Sequence, residues 1–289
     1  MTGFSADWLA LREAADHRSR NRGLAERLAA HFAMRDTIAV VDLGAGTGSN
    51  LRATAPLLPA RQTWTLIDND TALLQQARET LIAWSDTASL EGGCLTLHKG
   101  GRTILVEFRT ADLAASLDDA LPATVDLVTA SAFFDLASAQ FMQRLAKAAA
   151  ARHAVFYTVL TYDGRQTWAP RHPLDNEMRA AFHAHQITDK GLGMAAGPIA
   201  PSELADALSM AGYSVSECAS DWQLDRQDAA LIAKLATGFA DAVRETAKLP
   251  ASDTERWLGV ARTGAEVGHI DTLAIPTLVA FDDEEDDVD

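Results

Sequence analysis

The sequence predicts an α/β protein built on a doubly wound, mainly parallel sheet. Three observations point there. Short apolar runs alternate with helical patterns at least four times, and such alternation sandwiches a parallel sheet between helices. The first apolar run, IAVVDLG at 38–44, leads into a loop with glycines at 44, 46 and 48. A second run, TWTLIDN at 63–69, carries the acid Asp68, 20 residues beyond Gly48. In sheets of this kind ligands bind outside the carboxyl ends of the strands, beside the first one.

The elements follow in order. Residues 5–34 read as a helical cap, because Trp8, Leu9, Leu24, Leu28 and Phe32 recur near helical spacing. Strands are expected at 38–44 and 63–69, and a helix at 71–84 with Asp70 or Thr71 as its N-cap. The stretch 85–105 holds two glycine pairs, and CLTLH and TILVEF flank the second as a hairpin. Strands are predicted at 125–131 and 153–160 around an Ala-rich helix at 138–151. Residues 161–200 show little periodicity and read as an insertion over the sheet. Beyond them come a helix at 201–211 started by proline, a strand at 213–218, helices at 226–247 and 252–263, and a last strand at 267–275.

Composition narrows the function. With 48% hydrophobic residues among 289, the chain can bury a sizeable core. The formal charge of −15 disfavours nucleic acid and anionic membranes as partners. The last eight residues, Asp282–Asp289, hold seven acids and are expected to form a disordered, solvated tail. Cys94 and Cys218 form neither a disulfide framework nor a zinc pattern. Neither a leader peptide nor a membrane span is evident, so a cytoplasmic location is expected.

The loop VDLGAGTGSN departs from the dinucleotide pattern GxGxxG, because its third glycine comes one residue early. A phosphate loop ending in GK[ST] is absent. Glycines here let the backbone turn sharply and approach a ligand closely. Asp68 suits the two hydroxyls of a ribose. The run VVDLGAGTGSN, followed by LIDND, by Asp112-Leu113 after a third strand and by VTAS at 128–131, resembles the class I S-adenosylmethionine-dependent methyltransferase family over about residues 38–160.

The resemblance implies a seven-strand, Rossmann-like methyltransferase sheet in one domain over 1–281. Within it, 5–34 is the cap, 38–160 the cofactor-binding core, 161–200 a lid or acceptor-recognition insertion, and 201–281 the rest of the sheet with extra helices. It implies S-adenosylmethionine as cofactor. Gly44, Ala45, Gly46 and Gly48 would meet its methionine and ribose, and Asp42 would hold the loop and the ammonium. Asp68 would take the ribose diol. Asn69, Asp112 and Leu113 would meet the adenine, and Ala130 and Ser131 would lie near the sulfonium. The cofactor's carboxylate needs a donor, and Arg20 is the choice from the cap.

The acceptor is expected to be a small molecule methylated at oxygen or nitrogen. The motif [DNS]PP[YFW] of relatives that methylate DNA bases or protein glutamine is replaced here by Ser131-Ala132-Phe133-Phe134. Segment 161–200 overhangs the pocket and supplies Tyr162, Asp163, His185, Asp189 and Lys190 as acceptor-binding or proton-accepting residues. His183 and His185 lack a third metal ligand, so no metal is expected. Alternatives are a protein methyltransferase, a non-catalytic cofactor-binding regulatory module and a nicotinamide-dependent oxidoreductase. The GxGxG spacing and Asp112 speak against the last of these.

Overall fold

The structure, a computed structural model, describes residues 4–277; the acidic tail lies outside them. The cap expected as one helical stretch is two helices, α1 (Ala6–Ser19) and α2 (Arg22–Phe32). Asn21 makes the break. Its side chain accepts from the Leu24 N–H at 3.1 Å and starts the second helix. Its own N–H donates to Asp271 Oδ2 at 2.7 Å, so a residue 250 positions away fixes the break. Leu24, Leu28 and Phe32 bury one face of α2.

The strands are β1 (Thr37–Leu43), β2 (Arg61–Asp68), β3 (Thr87–Glu91), β4 (Cys94–Lys99), β5 (Arg102–Thr110), β6 (Leu127–Ser131), β7 (Val155–Ala169), β8 (Tyr213–Ala219), β9 (Trp222–Leu224) and β10 (Gly264–Pro276). They form one sheet in the order β3-β4-β5-β2-β1-β6-β7-β10-β8, with β9 paired to β10. Strands β5, β2, β1, β6 and β7 are parallel neighbours, and β10 is antiparallel to both β7 and β8. The fold class is thus the expected one.

The expected count of seven strands is corrected to ten. Two of the extra strands, β3 and β4, extend the edge beyond β5 through turns at Gly92-Gly93 and Gly100-Gly101. Strand β3 is exposed along its whole length, so apolar patterning gives it no signal. The third, β9, is three residues long and exists only because β10 passes beside it.

One sheet face carries α1, α2, α3 (Ser49–Thr54), α4 (Thr71–Trp84), α7 (Asp175–Gln186), α9 (Ala229–Thr246) and α10 (Ala251–Leu258). The other carries α5 (Leu113–Ala120), α6 (Ala139–Ala150) and α8 (Ala200–Met210). Strands β1, β6 and the first half of β7 are buried on both sides and read as near-continuous apolar runs, as central parallel strands must.

The segment 161–200 departs most from expectation. Its first nine residues continue β7 through Ala169, paired to β10 with Tyr162 opposite His269 and Trp168 opposite Ala265. Tyr162, Gln166 and Trp168 are buried at alternate positions. The intervening Asp163, Arg165 and Thr167 are polar, and Gly164 interrupts the pattern on the buried face, so the period-two signal is faint. The parallel pairing of β6 with β7 ends at Ser131 and Val159. Beyond it β7, β9 and the first half of β10 stand above the carboxyl ends as a small antiparallel cap. Helices α7, α9 and α10 close over this cap with Phe182, Phe239 and Trp257. Their ring centroids lie 4.6 Å (Phe182–Phe239) and 5.3 Å (Phe239–Trp257) apart. Phe239 and Trp257 are buried, and each contributes about 1.5–3 kcal/mol.

Candidate functional site

The loop after β1 turns back beneath the end of β2. Gly44 and Gly46 sit at φ 62° and 53°, where a side chain is strained. The Ala45 N–H donates to the Ile67 carbonyl at 3.0 Å, and the Gly46 N–H to Asp68 Oδ2 at 2.8 Å. The other Asp68 oxygen accepts from the Asp70 N–H at 3.0 Å. Asp68 therefore holds the glycine loop as well as ending its strand. Burial raises its pKa, and the Asp70 and Gly46 bonds oppose the rise. A carboxylate has about four lone-pair sites, so both oxygens can still accept from a ligand. Two elements close over the loop. A Cβ on Gly44 would come within 2.6 Å of the Phe133 ring, and one on Gly46 within 3.0 Å of Leu9 in α1.

Beneath the loop lies a buried polar cluster with open valences. Asn50 donates to Asp42 Oδ1 at 2.7 Å and to Thr129 Oγ1 at 3.1 Å. Asp42 is fully buried and its Oδ2 has no partner. Burial pushes this carboxyl up to about 7, against the Asn50 bond and the Arg20 charge. Arg20 spends Nη1 on Thr54 Oγ1 at 3.0 Å, while its Nε and Nη2 are buried and unpartnered. The Tyr157 hydroxyl is likewise unpartnered. Buried polar groups are paired in folded proteins with few exceptions. Four orphans around one arginine and one aspartate therefore mark a place for a polar ligand. Donor edges on Arg20 and an acceptor on Asp42 match the carboxylate and ammonium of an α-amino acid, so the residues fit the methionine end of S-adenosylmethionine.

The other predicted cofactor residues fall around the same strand ends. The Ala111 N–H donates to the Asp68 carbonyl at 3.1 Å and draws the β5–α5 turn alongside. There Asp112 is exposed and caps α5 through the Ala114 N–H at 2.9 Å, and Leu113 is buried. Asn69 is exposed. Ala130 is buried and its carbonyl accepts from Thr158 Oγ1 at 3.1 Å; Ser131 is half-buried. The next residue, Ala132, is held at φ 51° with its N–H on the Val159 carbonyl at 2.9 Å. Strain of that kind clusters at functional sites.

The five residues predicted for the acceptor do not converge. Tyr162 is buried, with its hydroxyl 3.0 Å from His183 Nε2. Burial and the Asp163 charge raise its pKa. Asp163 is taken up by Arg165, whose guanidinium also reaches Asp221 at 2.8 Å. This clasp lies on Gly268, where a Cβ would overlap it. His185 projects from another face of α7 than His183. It contacts Glu245 at 3.0 Å and Lys190 at 3.4 Å. Burial lowers the Lys190 pKa. Asp189 is exposed and binds the Gly191 N–H at 2.7 Å.

Sequence reasoning passed over Arg12, Trp222, His269 and His183 as site residues, which form a chain of contacts to Tyr162: the His183 and His269 rings lie 6.0 and 6.4 Å from it, Trp222 lies 5.3 Å from His269, and Arg12 stacks on Trp222 at 4.9 Å. Trp222 Nε1 donates to Asp16 Oδ1 at 3.0 Å, joining β9 to α1. Only long-range pairing brings these residues together, so no local spacing could have found them. A cavity of about 720 Å³ opens behind His183, lined by Gly164, Gln166, Arg179 and Pro198 among others. Among the described residues no cluster suited to a metal ion occurs, and no helix is long and apolar enough to cross a membrane.

No protein-family model and no curated protein matches the chain. Solved structures do. A cyclopropane-fatty-acyl-phospholipid synthase-like protein from Lactobacillus casei is 16% identical with a TM-score of 0.52, over 94% of this chain and 95% of that one. A cyclopropane synthase from Mycobacterium tuberculosis is 13% identical with a TM-score of 0.51, over 94% of each chain. An S-adenosylmethionine-dependent methyltransferase from Thiobacillus denitrificans, in complex with S-adenosylhomocysteine, is 17% identical with a TM-score of 0.46, over 95% and 100%. At these identities the likeness is one of fold, the Rossmann-like fold of class I methyltransferases.

Proposed function

We propose that the chain is an enzyme that binds S-adenosylmethionine and transfers its methyl group to a small molecule, at nitrogen or oxygen. The observation that carries this reading is the orphaned Arg20–Asp42 pair beneath a glycine loop that Asp68 holds in place. Arg20 would bind the cofactor's carboxylate and Asp42 its ammonium, each completing a valence left open in the protein. A cationic partner would also keep the Asp42 carboxyl ionised despite its burial. Asp68 would accept from the ribose diol, with Asn69, Asp112 and Leu113 around the adenine. Ala130 and Ser131 would flank the reacting centre. When bound, the cofactor supplies a methyl group made electrophilic by its sulfonium. Leu9 and Phe133 exclude water from the loop, which favours a held, in-line geometry.

Calorimetric titration of the full chain with S-adenosylhomocysteine tests this reading. Binding is expected for the wild type. Asp68→Ala and Arg20→Ala should each weaken it about 30-fold or more, since each removes a buried charged partner. Absence of binding by a folded wild-type chain would overturn the reading.

A further inference from the structure

Beyond Val159, β7 is paired on one side only. Its ladder with β6 ends there, while its ladder with β10 runs on to Ala169. The cavity of about 720 Å³ is lined by residues of this one-sided stretch, of α7 and of the turn at Gly197–Ile199. Glu266 of β10, which stands opposite Thr167, lines it as well. Small-molecule sites span about 300–1,000 Å³, so the space suits a ligand of that kind.

The charges on its wall divide into a closed group and an open pair. Arg165 is shared between Asp163 and Asp221, so these three are spent on one another. His183 is held neutral, because burial and the Arg179 charge lower its pKa, and its Nε2 is engaged by the Tyr162 hydroxyl at 3.0 Å. Arg179 and Glu266 remain. Arg179 makes two long bonds, both 3.3 Å, to the Gln166 carbonyl and to Asn176 Oδ1. Among the described residues it pairs with no carboxylate, and Glu266 pairs with no cation. Gln166, 7% exposed, adds an acceptor to the same wall, since its Oε1 is buried without a partner.

One open cation and one open anion thus share a cavity without reaching each other. A simple anion would meet Arg179 but be repelled by Glu266, and a simple cation would meet the reverse. A ligand carrying both charges matches both. The planar fork of a guanidinium is suited to two-point binding of a carboxylate. Pro198 and Ile199 supply an apolar wall, and Ile199 is left 57% exposed. Covering such a side chain with an aliphatic group is favourable.

We propose that this cavity binds an aliphatic α-amino acid, with its carboxylate on Arg179, its ammonium on Glu266 and its side chain on Pro198 and Ile199. None of the lining residues belongs to the glycine loop or to the Arg20–Asp42 corner, so the site is distinct from the cofactor's and does not depend on the methyltransferase reading.

Three probes built on one carbon skeleton are titrated into the full chain, with and without excess S-adenosylhomocysteine. They are L-leucine, 4-methylpentanoate, which lacks the amine, and isopentylamine, which lacks the carboxylate. Leucine should bind at least about tenfold tighter than either under both conditions. Arg179→Gln should weaken leucine about tenfold or more and leave isopentylamine unchanged. Glu266→Gln should weaken leucine by a similar factor without weakening 4-methylpentanoate. Leucine should also raise the melting temperature of the wild type and of neither variant. If Arg179→Gln does not fold, Glu266→Gln decides alone. No leucine binding up to about 10 mM, leucine no tighter than the acid or the amine, or an unchanged leucine affinity in a folded variant would each overturn the inference. Displacement of leucine by S-adenosylhomocysteine would do so too, by placing the amino acid at the Arg20–Asp42 corner. Failure of the wild type to bind S-adenosylhomocysteine would sink the cofactor reading and leave this one standing.

Discussion

The cofactor side and the cap are built from the same polar residue types but assembled over different chain distances. On the cofactor side, Asn50 reaches Asp42 across eight residues and Asp68 reaches Gly46 across 22, with one longer reach of 79 from Asn50 to Thr129. In the cap, Arg165 meets Asp221 across 56 residues, Trp222 meets Asp16 across 206, and Asp271 meets Asn21 across 250. Local partners leave a spacing in the sequence, and distant partners do not. The cofactor side should therefore fail through single residues, and the cap through its staples.

The sharpest way to break the contrast is Gly44→Ala. The new side chain combines a left-handed backbone with overlap of the Phe133 ring, at a cost of about 2–4 kcal/mol. Chemical denaturation should show that loss, and Phe133→Ala in the same chain should recover the steric part. Full stability in Gly44→Ala would mean that the loop is not closed by Phe133. Asp271→Asn comes next. Its two oxygens hold the N–H groups of Asn21 and Leu160 at 2.7 and 2.8 Å, and an amide cannot accept both bonds. A loss of about 1–3 kcal/mol is expected. Hydrogen exchange should rise at residues in α2 and near Leu160 together, and a rise at one place alone would deny the staple.

Much of the first region was legible for a chemical reason. A glycine loop and an acid after the next strand are short-range requirements of one ligand, and Arg20 could be chosen because a carboxylate needs a donor. The cap was legible only in part. The sequence singles out Tyr162 and His185, and the structure sets the Tyr162 hydroxyl against His183 instead, because spacing along the chain does not reveal which face of α7 turns inward. Strand β3 escaped because exposed residues carry no pattern.

A pH experiment sharpens the comparison further. Folding raises Asp42 from its ordinary carboxylate range to about 7. The folded chain thus holds this proton more tightly than the unfolded one, and the group's contribution falls as pH rises from about 4 to beyond 7. Asp42→Asn should remove that slope and raise the ligand-free melting temperature at pH 8 relative to wild type. An unchanged pH profile would show that Asp42 is ionised at no cost in the free protein. His185→Ala should do least. Its contact with half-exposed surroundings is worth no more than about 1 kcal/mol, and S-adenosylhomocysteine binding should not change. A large effect on binding would draw the α7–α9 edge into the site.

Strand β10 lies between β7 and β8 and is the last strand of the described chain. During synthesis on the ribosome, β7 therefore waits with one edge bare for about a hundred residues of further translation. Asp271, which fixes the corner next to Arg20, arrives with that same strand. A nascent chain stopped at residue 263 would have its glycine loop but not the tether that sets the cap helices beside it. The corner around Arg20 is thereby completed with the synthesis of β10 rather than with that of the glycine loop.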